Sequence, residues 1–146
     1  MSLAKSNRPA IESLDALARR VESGSRISVG GHHFARLPIA LLTKIVSNGV
    51  KDLDYFAWAG GLPLELLLEA NAVKNIDVCF SSLDIFGLAP RFREVAENRR
   101  LPINDWPALA MIQGLRAAQQ NLPFMPVQLP EGSTMMERCQ IGRAHV

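Results

Sequence analysis

Residues 27–38 read Ile-Ser-Val-Gly-Gly-His-His-Phe-Ala-Arg-Leu-Pro, and this stretch constrains the fold more than any other. A β-branched run ends in a glycine pair, a polar turn follows, and a proline opens an apolar helical segment at Ile39. That order predicts a strand, a tight turn that exposes backbone, and a helix with proline in its first turn. The turn leaves backbone N–H groups at the head of a helix, where anions and phosphates bind. A glycine pair placed there for turn geometry alone would look the same in sequence.

The same punctuation recurs downstream. Ile11, Leu14, Leu17, Ala18 and Val21 fall at helical spacing, with Gly24 as the expected C-cap. Strands are predicted over 26–29, 53–58, 76–80 and 101–104, with a further short one over 125–127. Helices are predicted over 38–47, 63–69, 91–98 and 107–120, the last with Asp105 as N-cap. The run 53–58 is continuously apolar and aromatic apart from Asp54, which suits a strand covered on both faces. Strands alternating with helices predict an α/β fold: a mainly parallel sheet with helices on both faces and right-handed crossovers. Ligands of such sheets bind at the carboxyl ends of the strands. Here those ends are Gly30-Gly31, Gly60-Gly61 and Ser81-Ser82.

Composition narrows the function classes. The chain has 146 residues, 48% hydrophobic and 21% charged, which fits one folded unit and is too apolar for disorder. Net charge is +2, with no basic stripe interleaved with aromatics, so nucleic acid is not an expected partner. Apolar runs such as 37–42 and 66–68 fall far short of a membrane span. The start is polar and reads as an amphipathic helix rather than a signal peptide. Cys79 and Cys139 make no disulfide framework, so a reducing, cytoplasmic location is expected. The last seven residues, Gln140 to Val146, match one reading frame of a widely used sequencing adapter. They are expected to be read-through, leaving 1–139 as the N-terminal part of a domain that is incomplete at its C-terminus.

Several segments together resemble the first subunit of family I CoA-transferases. Gly30-Gly31 followed by Pro38 is similar to that family's glycine signature. Asn48-Gly49-Val50-Lys51-Asp52-Leu53 resembles its next step, and Gly60-Gly61 with Ala72-Val73-Lys74 the one after. Phe86-Gly87-Leu88-Ala89-Pro90-Arg91-Phe92-Arg93 is very similar to a further element. Gly114 to Ala118 and Leu122-Pro123-Phe124-Met125-Pro126 complete the set. The resemblance covers about residues 25–134 and is nearest to the A-type subunits of the glutaconate CoA-transferase group. His32, Arg36 and Asn71 depart from the family pattern and leave the acyl substrate open.

The resemblance implies a three-layer α/β/α fold of the CoA-transferase/NagB-like kind. It also implies transfer of CoA from an acyl-CoA to a carboxylic acid through a glutamyl-CoA thioester. The glutamate lies in a Ser-Glu-Asn-Gly-type motif of a β-type partner subunit. No such motif occurs here, so the chain is expected to be the α-type subunit, inactive alone. No bound cofactor is expected, and coenzyme A thioesters are the substrates. The alternatives are a CoA-thioester hydrolase of ring-cleaving type and a non-catalytic structural subunit.

The candidate substrate- and CoA-binding residues are Gly30, Gly31, His32, Arg36, Ser81, Ser82 and Arg91, each with a plainer role beside it. The glycines approach a ligand with bare backbone or simply make the turn. His32 and His33 are adjacent and point apart, so no metal site is expected. Arg36 stands near a helix N-terminus, where a cation is disfavoured. It therefore wants an anionic partner, either a substrate carboxylate or a neighbouring acid. Ser81 and Ser82 sit at a strand end, facing a ligand or capping. Arg91 meets CoA phosphates, the partner subunit or solvent. Asp105 caps a helix or, as in the ring-cleaving branch, supplies a catalytic acid. Phe86, Trp58, Trp106 and Phe124 are expected in core or interface.

Overall fold

The computed structural model describes residues 11–31, 34–128 and Thr134. His32, His33, Cys139 and the segment 140–146 lie outside the described residues. The elements, in chain order, are α1 Leu14–Ala18, β1 Arg26–Ser28, α2 Ile39–Ser47, β2 Leu53–Ala59, α3 Gly61–Glu69 and β3 Val73–Phe80. A 3-10 turn at Asp84–Phe86 follows, then α4 Pro90–Asn98, β4 Ile103–Asp105 and α5 Ala108–Gln119. The four strands form one parallel sheet in the order β1-β2-β3-β4.

The two sheet faces are covered unequally. Leu53, Tyr55 and Ala57 of β2 and Ile76 and Val78 of β3 join one buried cluster with Ala18, Leu42, Ile45, Leu64, Leu67 and Val95. Side chains alternate across a strand, so α1 to α4 all pack on that face. The opposite face carries Asp54, Phe56, Asn75 and Asp77 and is crossed by α5, whose buried residues are Ala110, Met111 and Ala117. Tyr55 is fully buried and donates its hydroxyl to Gly60 O at 3.2 Å. Helices therefore lie on both faces, as the alternation predicts.

Several sequence expectations shift. Ser13 accepts the Ala16 N–H at 3.2 Å and starts α1 at Leu14, leaving Ile11 fully exposed. Gly24 does not cap α1, whose C-cap is Arg19. Its φ of 84° turns the chain into β1, and its N–H donates to Lys51 O at 3.0 Å. β3 begins at Val73 rather than Ile76, because Val73 pairs with Leu53 and Asn75 with Asp54. Asp105 ends β4 and is not a helix cap. The Trp106 N–H donates to Val78 O at 2.9 Å and holds this corner in the sheet, and Pro107 is the N-cap of α5. Residues 125–127 form no strand.

Candidate functional site

The three predicted strand ends meet. A cleft of about 130 Å3 at the carboxyl edge of the sheet is lined by Gly30 and Gly31 after β1, Gly60 and Gly61 at the β2–α3 junction, and Ser82 after β3. Its walls are apolar: Val29, Leu37, Trp58, Pro63 and Phe80. Parallel strands put all their carboxyl ends on one edge, so separate punctuation marks in sequence become neighbours in space.

Close packing holds two of these glycines. At Gly31, φ is 122°, and a Cβ would stand 2.5 Å from Leu37 Cδ2 and 3.0 Å from Arg36 O. At Gly60 a Cβ would stand 2.4 Å from Ser81 Oγ and 2.8 Å from Leu64 Cδ2. Only glycine admits this approach. Ser81 Oγ accepts the Gly61 N–H at 3.2 Å and so caps α3 from a neighbouring strand. Ser82 Oγ accepts the Asp84 N–H at 3.4 Å. Ser82 also bridges to Leu88, which folds residues 83–87 into a closed turn beside the cleft. On that turn Ile85 and Phe86 are exposed, and Phe86 meets Phe34 edge-on with ring centroids 5.3 Å apart.

The remaining candidates do not line this cleft, although Arg36 borders it through its carbonyl oxygen, packed against Gly31. Arg36 is exposed, with φ of 58°, and forms no ion pair among the described residues. Arg91 is committed to Glu69 and Glu94. Its hydrogen bond to Glu69, then that to Glu94, holds the guanidinium above its ordinary pKa. The Arg93 guanidinium is raised likewise by Glu97, 2.6 Å away. Arg91 lines a larger groove of about 430 Å3 with Glu69, Glu94, Val73, Arg100 and Leu101, at the amino end of β3. The charges in that groove pair with one another, and the groove lies away from the strand carboxyl ends. The smaller cleft is therefore the better candidate site. Asp105 is exposed at the carboxyl end of β4, paired in register with Val78.

Two acids that sequence reasoning passed over are buried and fully engaged. Glu65 on α3 is 7% exposed, and its two oxygens accept the N–H groups of Arg91 and Phe92 at 2.8 Å each. Asp77 on β3 is 2% exposed and accepts from four side chains. These are Asn75 (2.9 Å), Asn104 (2.9 Å), Trp106 Nε1 (2.9 Å) and Arg26 (3.2 Å). A buried carboxylate is tolerable only when so satisfied. The signal was a lone acid within an apolar run: Leu64-Glu65-Leu66 and Ile76-Asp77-Val78. Trp58 and Phe80 stand at the cleft wall in edge-to-face contact, with centroids 4.9 Å apart. Among the described residues no group of three or more His, Cys, Asp or Glu could hold a metal ion, and no helix is long and apolar enough to cross a membrane.

A family model described as coenzyme A transferase matches residues 11–137. The A-type subunit of glutaconate CoA-transferase from Acidaminococcus fermentans is 30% identical over 130 residues, covering 88% of this chain and 41% of that protein. The cholesterol ring-cleaving hydrolase IpdA subunit of Mycobacterium tuberculosis is 31% identical over 123 residues, covering 84% of this chain and 42% of that protein. This chain thus spans about two-fifths of the length of these curated relatives. The crystal structure of the A. fermentans glutaconate coenzyme A-transferase superposes with a TM-score of 0.77 at 29% identity, covering 85% of this chain and 39% of that one. The decarboxylase AibA/AibB superposes with a TM-score of 0.80 at 24% identity, over 86% of this chain and 49% of that one, a likeness of fold.

Proposed function

This chain belongs to the coenzyme A transferase family, and from that premise we propose that it is the α-type subunit of a heteromeric enzyme moving CoA from an acyl-CoA to a carboxylic acid. The observation that carries this reading is the convergence of Gly30-Gly31, Gly60-Gly61 and Ser82 in one cleft at the carboxyl edge of the sheet. Gly31 and Gly60 let the chain close tightly around the cleft, and Gly30, whose Cβ position is open to 4 Å, offers bare backbone against which a thioester would lie. The positive end of α3 stands beside it, where negative charge develops on the thioester oxygen. The two buried acids support a binding role for this chain rather than a nucleophilic one. Glu65 is occupied by two N–H donors and Asp77 by four side chains.

In this reading the nucleophile is a glutamate of the partner subunit. Its carboxylate attacks the thioester carbonyl, CoA thiolate leaves, and an acyl–glutamyl anhydride forms. The thiolate then attacks the glutamyl carbonyl, releasing the first carboxylic acid and leaving an enzyme–CoA thioester. An acceptor carboxylate reverses these two steps and leaves as the new acyl-CoA. The A. fermentans relative is by its name one subunit of a larger enzyme, which supports a partner here. The test is to incubate the assembled complex with acyl-CoA and add borohydride, which reduces a thioester but not a carboxylate. Peptide mass spectrometry is expected to find the reduced glutamate in the partner. Reduction at Glu65, Glu69 or Asp105 of this chain would overturn the assignment.

A second reading has one observation in its favour. Asp105 stands exposed at the carboxyl end of β4, on the same edge of the sheet as the cleft, and a 31% identical relative is named as a ring-cleaving hydrolase subunit. CoA-thioester turnover with no trapped species would favour it.

A further inference from the structure

Trp58 and Phe80 have no assigned role, and they form the most exposed aromatic part of the cleft lining. Trp58 lies at the end of the central strand β2, and Phe80 ends β3 in register with Ala59. Their rings meet at an interplanar angle of 88°, yet Trp58 remains 45% and Phe80 37% exposed. Large apolar faces left open on a concave, pre-formed surface gain burial when a ligand covers them.

Resting on the CoA-transferase reading, we propose that Trp58 and Phe80 wall an acyl subsite selective for a short apolar acyl group of about four carbons, over one that ends in a second carboxylate. Three observations point this way. The apolar side chains lining the cleft with the aromatic pair are Val29, Leu37, Ala59 and Pro63, so its walls reward apolar contact. Its volume of about 130 Å3 is slightly below the ~150 Å3 of an apolar cavity that accepts benzene, enough to cover a butanoyl group, while the far end of a longer chain would stay in water. Its polar contribution is glycine backbone and the Ser82 hydroxyl. A second carboxylate pushed against these walls would lose hydration without gaining a cation from the described lining, which is costly. The pair also stands at the ends of two central, hydrogen-bonded strands rather than on a loop, which suits a wall of fixed shape.

The experiment uses the complex of this chain with its partner and compares kcat/KM for acetyl-, butanoyl-, octanoyl- and glutaryl-CoA. One methylene in an apolar pocket discriminates by roughly 10–200-fold. Butanoyl-CoA is therefore expected to exceed acetyl- and glutaryl-CoA by about tenfold or more, and octanoyl-CoA to gain nothing over it. Trp58→Ala should erase the butanoyl-over-acetyl preference, and Trp58→Phe should keep most of it. A preference for glutaryl-CoA, or a butanoyl-to-acetyl ratio unchanged in Trp58→Ala, would overturn the subsite. Absence of both turnover and calorimetric binding for CoA and every thioester would overturn the CoA-transferase reading on which it rests.

Discussion

Glu65 offers the sharpest test of the packing that supports the cleft. Helix α4 starts at Pro90 behind Ala89, which has no side chain able to cap it. The first turn of a helix leaves N–H groups without partners, and here a carboxylate from the neighbouring helix takes two of them, Arg91 N–H and Phe92 N–H, at 2.8 Å each. A hydrogen bond to a charged group contributes about 1.5–3 kcal/mol, and an ordinary N-cap about 1 kcal/mol. Two bonds to one carboxylate do not add fully, so Glu65→Ala is expected to cost about 3 kcal/mol. For a chain of this size that lowers Tm by on the order of 10 °C. Glu65→Gln keeps one acceptor and should cost about 1–2 kcal/mol. Urea unfolding curves with unchanged slope measure the stability, and amide exchange at Arg91 and Phe92 reports the cap itself. The effect should reach the cleft, because α3 begins at Gly61 and the turn before α4 is pinned at Ser82–Leu88. A Glu65→Ala protein within about 0.5 kcal/mol of the parent, with both amides still protected, would refute this reasoning.

Two further outcomes follow from the same face of the sheet. Tyr55 is the single tyrosine of the chain, so phenolate absorbance reports it alone. Burial raises its phenol above the ordinary value of 10.0, so this contribution to stability is intact below that value and is lost as pH rises beyond it, where the unfolded chain ionises first. Phenolate absorbance and loss of circular dichroism should therefore appear as one alkaline transition, and ionisation with the fold intact would contradict the burial. Gly60→Ala should cost about 1–3 kcal/mol by overpacking, since its Cβ would lie 2.4 Å from Ser81 Oγ and 2.8 Å from Ser81 Cβ. Adding Ser81→Gly should recover part of that loss in a double-mutant cycle, and strict additivity would show that this contact does not fix the glycine.

The cleft was legible because its marks are local and the topology gathers them. Gly30-Gly31, Gly60-Gly61 and Ser81-Ser82 each end a β-branched or aromatic run, and a parallel sheet puts all such ends on one edge. What escaped depends on partners distant in sequence. Lys74 and Asn75 look like turn residues until Val73 is paired with Leu53. Asp105 has good cap chemistry, but the bond from the Trp106 N–H to Val78 O draws the corner into the sheet instead. Residues 125–127 have strand-like composition but gain no neighbouring strand. Glu65 and Asp77 were visible as lone acids in apolar runs, and the physics of burial could have marked both as satisfied structural groups.

Arg91 shows the limit from the other side. It lies in a segment strongly resembling a family element, yet sequence proximity to Ser82 does not bring its guanidinium to the cleft. The intervening turn closes at Ser82–Leu88, and α4 then carries Arg91 to Glu69 at the far end of α3. Helix α3 is thus tied at both ends: its N-terminus lies against the cleft, while Glu65 and Glu69 fasten α4 to it. A motif reaching from Phe86 to Arg93 can therefore be demanded by the architecture of the site while contributing no side chain from α4 to the cleft lining.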